Sequence, residues 1–241
     1  KAYFFMGDAM VCMGSGIKAA RTQEVRTSVN QCLANGEVTY GLSGHTYRLT
    51  NNLSDKNIDW AYHDNVGYIF PQNESVTLRK AKQTGAWREL EVTASDKPVT
   101  KEIFSLWVSH GTTPQHEDYC YIIMPDKPLS YFTDKKFENE IKIIVNSEQI
   151  QAISNENKKQ YAAVFYEPGE IRFAEDLVVA VNKKVIIYIE KKDKQYEIAV
   201  ADPLYKEQSL QLSMNGEQIN IVFPSGDYSG SSVIKHITEK H

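Results

Sequence analysis

Short runs in which apolar and polar residues alternate with period two recur along the chain, separated by turn formers. Residues 3–5 and 10–13 flank Gly7-Asp8, a tight-turn signal, and Gly14-Ser15-Gly16 is expected to break the second run. Val25, Thr27, Val29 and Gln31 alternate with Arg26, Ser28 and Asn30, and Asn35-Gly36 predicts a hairpin into residues 38–40. Further strands are expected over 60–62, 66–70, 75–78, 87–92, 103–109 and 119–124. Pro71, Pro98, Pro114, Pro125 and Pro128 fall between these runs, where a missing N–H costs no ladder bond. The helix-like stretch of this half, residues 17–21, is too short to stand alone.

Residues 126–139 are polar, contain Pro128 and read as a connection, which places a domain boundary between 1–138 and 139–241. A second series of strands is expected over 141–145, 149–153, 161–166, 170–173, 177–181, 185–190, 196–201, 209–214 and 218–223. Short turns such as Asn182-Lys183, Lys192-Asp193 and Asn215-Gly216 join many of them, so antiparallel meanders are the natural outcome. The tail after Pro224 is expected to run over the surface. The predicted fold is therefore all-β: an antiparallel β-sandwich followed by a smaller C-terminal antiparallel β-domain.

Composition adds exclusions. A net charge of −4 exerts no general pull on nucleic acid or an anionic membrane, and the runs Asn155-Glu156-Asn157-Lys158-Lys159 and Lys191-Lys192 read as solvated turns. No stretch approaches the roughly 18–20 apolar residues of a membrane helix. The opening Lys1-Ala2-Tyr3-Phe4-Phe5-Met6-Gly7 is no signal peptide and reads as a strand already in progress, from which a longer parent polypeptide is expected. Three cysteines, Cys12, Cys32 and Cys120, lack zinc-like spacing; they read as buried thiols, with a Cys12–Cys32 bridge open if the protein is exported.

Candidate chemistry is sparse. Tyr62-His63-Asp64-Asn65-Val66-Gly67-Tyr68 gathers a base, a carboxylate, an amide and phenols, yet strand alternation sends His63 and Asp64 to opposite faces. Asp64-Asn65 also has the chemistry of a turn between strands. His45, His110 and His116 lack metal-ligand spacing, and Ser15 sits in no nucleophile elbow. Glu89/Glu91 and Glu138/Glu140 mimic a glycosidase dyad only in spacing and read as solvated pairs. No phosphate-cradling or dinucleotide glycine motif occurs, so neither cofactor nor metal is expected. Among the tryptophans, Trp107 lies in an apolar run that reads as core, whereas Trp60 and Trp87 flank polar turns and are the candidates for stacking on sugar rings.

The strings themselves carry a resemblance. Tyr3-Phe4-Phe5, Val11-Cys12-Met13-Gly14-Ser15-Gly16-Ile17 and Val29-Asn30-Gln31-Cys32-Leu33 resemble the central β-domain of family 8 polysaccharide lyases, of the chondroitin AC lyase and hyaluronate lyase type. His63-Asp64-Asn65-Val66-Gly67-Tyr68-Ile69-Phe70-Pro71, Gln83-Thr84-Gly85-Ala86-Trp87, Phe104-Ser105-Leu106-Trp107-Val108-Ser109-His110-Gly111 and Tyr119-Cys120-Tyr121-Ile122-Ile123-Met124-Pro125 follow in the family's order. The likeness spans residues 1–124 and continues more weakly through Ile150-Gln151-Ala152 and Ala201-Asp202-Pro203.

That resemblance implies a secreted or periplasmic bacterial enzyme with an N-terminal α/α toroid, a large central β-sandwich and a small C-terminal β-domain. It implies β-elimination at a uronic acid of an acidic glycosaminoglycan, by a carbon–oxygen lyase. An Asn that neutralises the uronate, a Tyr/His pair and assisting Arg residues belong to the toroid, with a supporting carboxylate early in the central domain. No position here inherits a catalytic role, and His63 lies in the sandwich motif. The chain is thus expected to be the later central sandwich plus the C-terminal domain, inactive alone, with the same polypeptide's toroid and an acidic polysaccharide as partners. The alternative is a carbohydrate-binding module using Trp60 or Trp87, or a purely structural β-domain.

Overall fold

The computed structural model describes residues 1–20 and 22–238 of the 241. The strands of the first part are β1 (Ala2–Met6), β2 (Ala9–Ile17), β3 (Glu24–Leu33), β4 (Val38–Leu42), β5 (His45–Arg48), β6 (Asn52–Asp55), β7 (Ile58–His63), β8 (Val66–Ile69), β9 (Val76–Gly85), β10 (Val99–Thr112) and β11 (Glu117–Pro125). A short helix α1 (Leu129–Thr133) precedes β12 (Lys142–Asn146), β13 (Ile150–Asn155), β14 (Gln160–Phe165), β15 (Gly169–Ala174) and β16 (Leu177–Val181). The chain continues through β17 (Val185–Lys192), β18 (Gln195–Ala201), β19 (Ser209–Met214), β20 (Glu217–Val222) and β21 (Val233–Thr238). The fold is all-β and its pairings are antiparallel.

Two compact units result, one of residues 7–12 and 17–136, the other of residues 1–6, 13–16 and those from 137 onward. A seven-stranded sheet runs β1-β2-β11-β8-β7-β4-β5, and a four-stranded sheet runs β3-β10-β9-β6. In the unit of residues 17–136, Val76, Leu78, Phe104, Leu106 and Val108 of the smaller sheet meet Val38, Ile58, Tyr68, Phe70, Tyr119 and Tyr121 of the larger one. Alternation makes this possible: Phe104, Leu106 and Val108 point inward while Ser105, Trp107 and Ser109 point out.

The second unit pairs a six-stranded sheet, β12-β13-β14-β17-β18-β21, with a four-stranded sheet, β15-β16-β19-β20. Its core joins Tyr161, Phe165, Ile187, Ile189, Ile198 and Val200 to Phe173, Leu177, Val179, Leu210, Leu212 and Met214. Removing this apolar surface from water is the main stabilising term.

Several local expectations are corrected. The Asn35-Gly36 turn makes no hairpin: β3 pairs with β10, whereas β4 pairs with β5 and β7 in the other sheet. Gly36, at φ +83°, turns a corner between sheets, so the turn residue was legible and its consequence was not. Asn182-Lys183 behaves likewise, carrying the chain from β16 to β17 in the opposite sheet. Gly14-Ser15-Gly16 does not break β2, which continues to Ile17. Residues 87–92 form a 3-10 turn over Trp87–Glu89 and a loop, because no neighbouring strand covers Trp87, Leu90 or Val92. The tail contributes β21, which pairs with β18 at the sheet edge. Residues 18–20 are not helical, and Arg21 lies outside the described residues.

Candidate functional site

The sequence candidates disperse. Trp60 sits on β7 with its indole over Gly41, where a Cβ would lie 2.2 Å from Nε1, and its ring 5.9 Å from that of Phe132. At 2% exposure it has no face open to a sugar; it fills the space the glycine vacates. Trp87, by contrast, is 60% exposed on its 3-10 turn.

His63 points into the sandwich, 4.7 Å from the ring of Phe104, while Asp64 and Asn65 turn outward at φ +49° and +64° to close the β7–β8 hairpin. The interior polar cluster is completed by Cys32 Sγ, 3.6 Å from His63 Nδ1, and by Asn30 Nδ2, which donates to Tyr68 Oη at 2.5 Å. Burial lowers the pKa of His63 and raises those of Cys32 and Tyr68, the last to about 12. At 1% exposure the imidazole has no reach to a substrate proton, and the cluster is a packed polar core. All three cysteines keep their thiols, with no disulfide between them.

The remaining candidates stay peripheral. His45 and His116 are exposed. Glu89 accepts from the Ala86 N–H at 3.2 Å and Glu91 from Thr93, both as turn contacts. Ser15 lies within β2, and Glu138 and Glu140 lie in the turns after α1.

One cleft of about 430 Å³ does gather titratable groups, at the ends of β10 and β11. Glu74, His110, Glu117, Asp118 and Lys56 line it. Glu74 accepts the Cys120 N–H at 2.5 Å, and burial, assisted by the charge of Asp118, pushes its carboxyl up to about 8. Burial likewise raises Asp118 and lowers His110, whose Nε2 meets Thr27 Oγ1 at 2.8 Å. With Glu74 protonated near neutral pH, Glu117 and Asp118 outweigh the single Lys56 ammonium and leave the cleft weakly negative, which does not favour a polyanion. Among the described residues no group of His, Cys, Asp and Glu has the geometry to hold a metal ion.

A second surface feature lies on the outer face of β3, β10 and β9. Trp107 projects there, half-buried, with the Arg26 guanidinium 4.5 Å from its ring centroid. Gln31, Ser105 and Arg79 form a cross-strand row beside it. Trp107 is not core, contrary to the reading of its apolar run. The alternation of Phe104, Ser105, Leu106, Trp107 and Val108 already contained that signal.

These features define a class: a two-unit antiparallel β-sandwich protein, rich in aromatics, with an acid-lined cleft. Residues 1–136 match the super-sandwich domain of polysaccharide lyase family 8, and residues 142–211 match its C-terminal β-sandwich domain. The chain belongs to polysaccharide lyase family 8. It is 30% identical to chondroitinase-AC of Pedobacter heparinus over 97% of its own length and 34% of the relative's. Hyaluronate lyase of Thermasporomyces composti is 24% identical over 92% of the chain and 29% of the relative. Among solved structures, a chondroitinase AC lyase studied with oligosaccharides superposes with a TM-score of 0.88, at 26% identity over 97% of this chain and 35% of that one. A Paenibacillus xanthan lyase shares the fold, with a TM-score of 0.75 at 20% identity over 87% and 21% of the two chains. The chain thus spans between about a fifth and about a third of the length of these relatives.

Proposed function

We propose that this chain is the non-catalytic β-region of a secreted or periplasmic bacterial lyase that degrades an acidic glycosaminoglycan by β-elimination at uronic acid. Residues 1–138 would be the later part of the central sandwich and 139–241 the C-terminal domain. They would buttress an N-terminal α/α toroid of the same polypeptide and wall one side of its cleft.

The observation that carries this reading is the charge of the cleft around Glu74. Abstracting the C5 proton of a uronate needs a cation or amide to neutralise the substrate carboxylate, and a base beside it. Here a protonated Glu74 and the carboxylates of Glu117 and Asp118 face the space instead, with Lys56 as its one ammonium among the described residues, and the nearby imidazole of His110 is bound to Thr27. A cleft of that charge offers no net neutralising charge to an acidic substrate.

The test is an assay of the 241-residue chain on chondroitin sulfate and hyaluronan, following the absorbance of the unsaturated uronate. No turnover is expected. Turnover comparable with full-length relatives overturns the proposal. A second reading, a carbohydrate-binding module, is favoured by the exposure of Trp87. Loss of hyaluronan or chondroitin affinity in Trp87→Ala would support it.

A further inference from the structure

The outer face of β3, β10 and β9 carries side chains that the lyase reading leaves without a task. The register sets them in rows: Gln31, Ser105 and Arg79 lie opposite one another, as do Ser28, Trp107 and Thr77. Strands about 4.8 Å apart give each row a fixed spacing, so the polar ends form a lattice on a rigid support. Between the rows runs a groove of about 200 Å³.

Its two guanidinium groups differ in how they are held. Arg26 lies over the ring of Trp107 and gives Nε to Glu24 Oε2 at 2.7 Å, with Nη2 on the same oxygen. Glu24 is fixed in turn by Ser109 Oγ at 2.5 Å, and these two donors hold its carboxyl below the usual range. Arg26 is therefore pre-set by bonds through Nε and Nη2, and among the described residues Nη1 has no bond to the protein. Arg79 is exposed and has no ion-pair partner among the described residues. Counting Glu24, the groove carries a net charge of one positive unit, the opposite sign to the cleft around Glu74.

We propose that this groove binds an acidic saccharide segment. Its carboxylate or sulfate would meet Arg79 and Arg26, and its hydroxyls would meet Gln31, Gln83 and Ser105. Guanidinium planes match such oxyanions bidentately, while amides and hydroxyls match sugar hydroxyls. The choice of an acidic saccharide rests on the lyase reading above; the site itself rests on the rows and their charge. The strand support makes it an anchoring site.

Isothermal titration of the 241-residue chain with a hyaluronan hexasaccharide, a chondroitin 4-sulfate hexasaccharide, a neutral chitin hexasaccharide and single-stranded DNA tests this. Binding of one or both acidic hexasaccharides is expected, and the two arms separate carboxylate from sulfate recognition. Arg79→Gln should weaken that binding about tenfold, the equivalent of one charge-assisted contact. Gln31→Ala should weaken it less. Raising salt from about 0.05 to about 0.3 M should weaken binding to the original chain more than to Arg79→Gln. Both side chains are exposed, so an unchanged thermal midpoint will confirm that each variant folds.

Equal affinity for the neutral or nucleic-acid probe, no binding of either acidic hexasaccharide, or an Arg79→Gln variant that binds as well as the original overturns the inference. Those results leave the lyase reading intact. Absence of lyase activity in a toroid-bearing parent would sink that reading without touching the measured affinity.

Discussion

Phe132 of α1 lies where a side chain of Gly67 would be: a Cβ built on the glycine would stand 1.8 Å from the Phe132 Cζ. The ring is fully buried and also packs 5.4 Å from that of Tyr62 and 5.9 Å from that of Trp60. One bare position on β8 therefore seats the helix that ends the first unit. Gly67→Ala should destabilise the chain by about 1–3 kcal/mol through overpacking. Phe132→Ala should cost about 3–5 kcal/mol through the cavity it leaves. Urea denaturation midpoints check both values; a neutral Gly67→Ala would show that α1 docks without this contact.

The two sequence candidates for sugar stacking should separate by experiment. Trp60→Ala removes a core ring and should cost about 3–5 kcal/mol. Trp87→Ala removes an exposed ring on a turn with no buried residue and should stay within about 0.5 kcal/mol of the original. Thermal denaturation of the two variants side by side decides the point.

Glu74 should govern the alkaline limb of stability. Its carboxyl, pushed up to about 8 by burial, holds its proton in the folded chain at pH values where the unfolded chain has lost it. A raised folded pKa contributes stability fully below the unfolded value near pH 4.3, and that contribution fades as pH rises through about 8. Glu74→Gln keeps an acceptor for the Cys120 N–H and removes the titration. Its advantage over the original should therefore grow by at least about 1 kcal/mol between pH 5 and pH 8.5. Parallel slopes of the two pH–stability curves would contradict the assignment.

The buried histidines act on the opposite limb. Burial lowers the pKa of His63 and of His110, so the unfolded chain binds protons more readily than the folded one. Their contribution is present above the unfolded value near pH 6.5 and is lost as pH falls through the folded values. His63→Gln should flatten the decline in denaturation midpoint below pH 6.5, and an unchanged decline would rule His63 out as its source.

Asp202 is 3% exposed and accepts the N–H groups of Leu204, Lys206 and Glu207 at 2.9, 2.7 and 2.8 Å. Burial alone would raise its pKa; these backbone donors together prevail and lower it. Asp202→Ala should leave the loop's donors unmet at a cost of about 2–4 kcal/mol, taking roughly 1 kcal/mol for each. Faster amide hydrogen exchange at residues 204–207 is the local measure of that loss, and unaltered protection there would argue that water replaces the carboxylate.

Alternation in the sequence determined the sheet class and nearly every strand of the second unit, because faces such as Leu177, Val179 and Val181 record burial locally. Asp64-Asn65 and Asn215-Gly216 identified true hairpins, since their left-handed backbone belongs to the turn itself. Tertiary structure alone decided which strands became neighbours. β3 left β4 for β10, and β16 was parted from β17, because partner choice depends on burying two faces at once across distant segments. β5, exposed along its length, exists only because β4 offers it an edge. The same division holds for the surface: composition marked the tryptophans, but only packing buried Trp60, left Trp87 bare and set Trp107 beneath Arg26. Periodicity reports which way a side chain points; whether anything covers it depends on the rest of the chain.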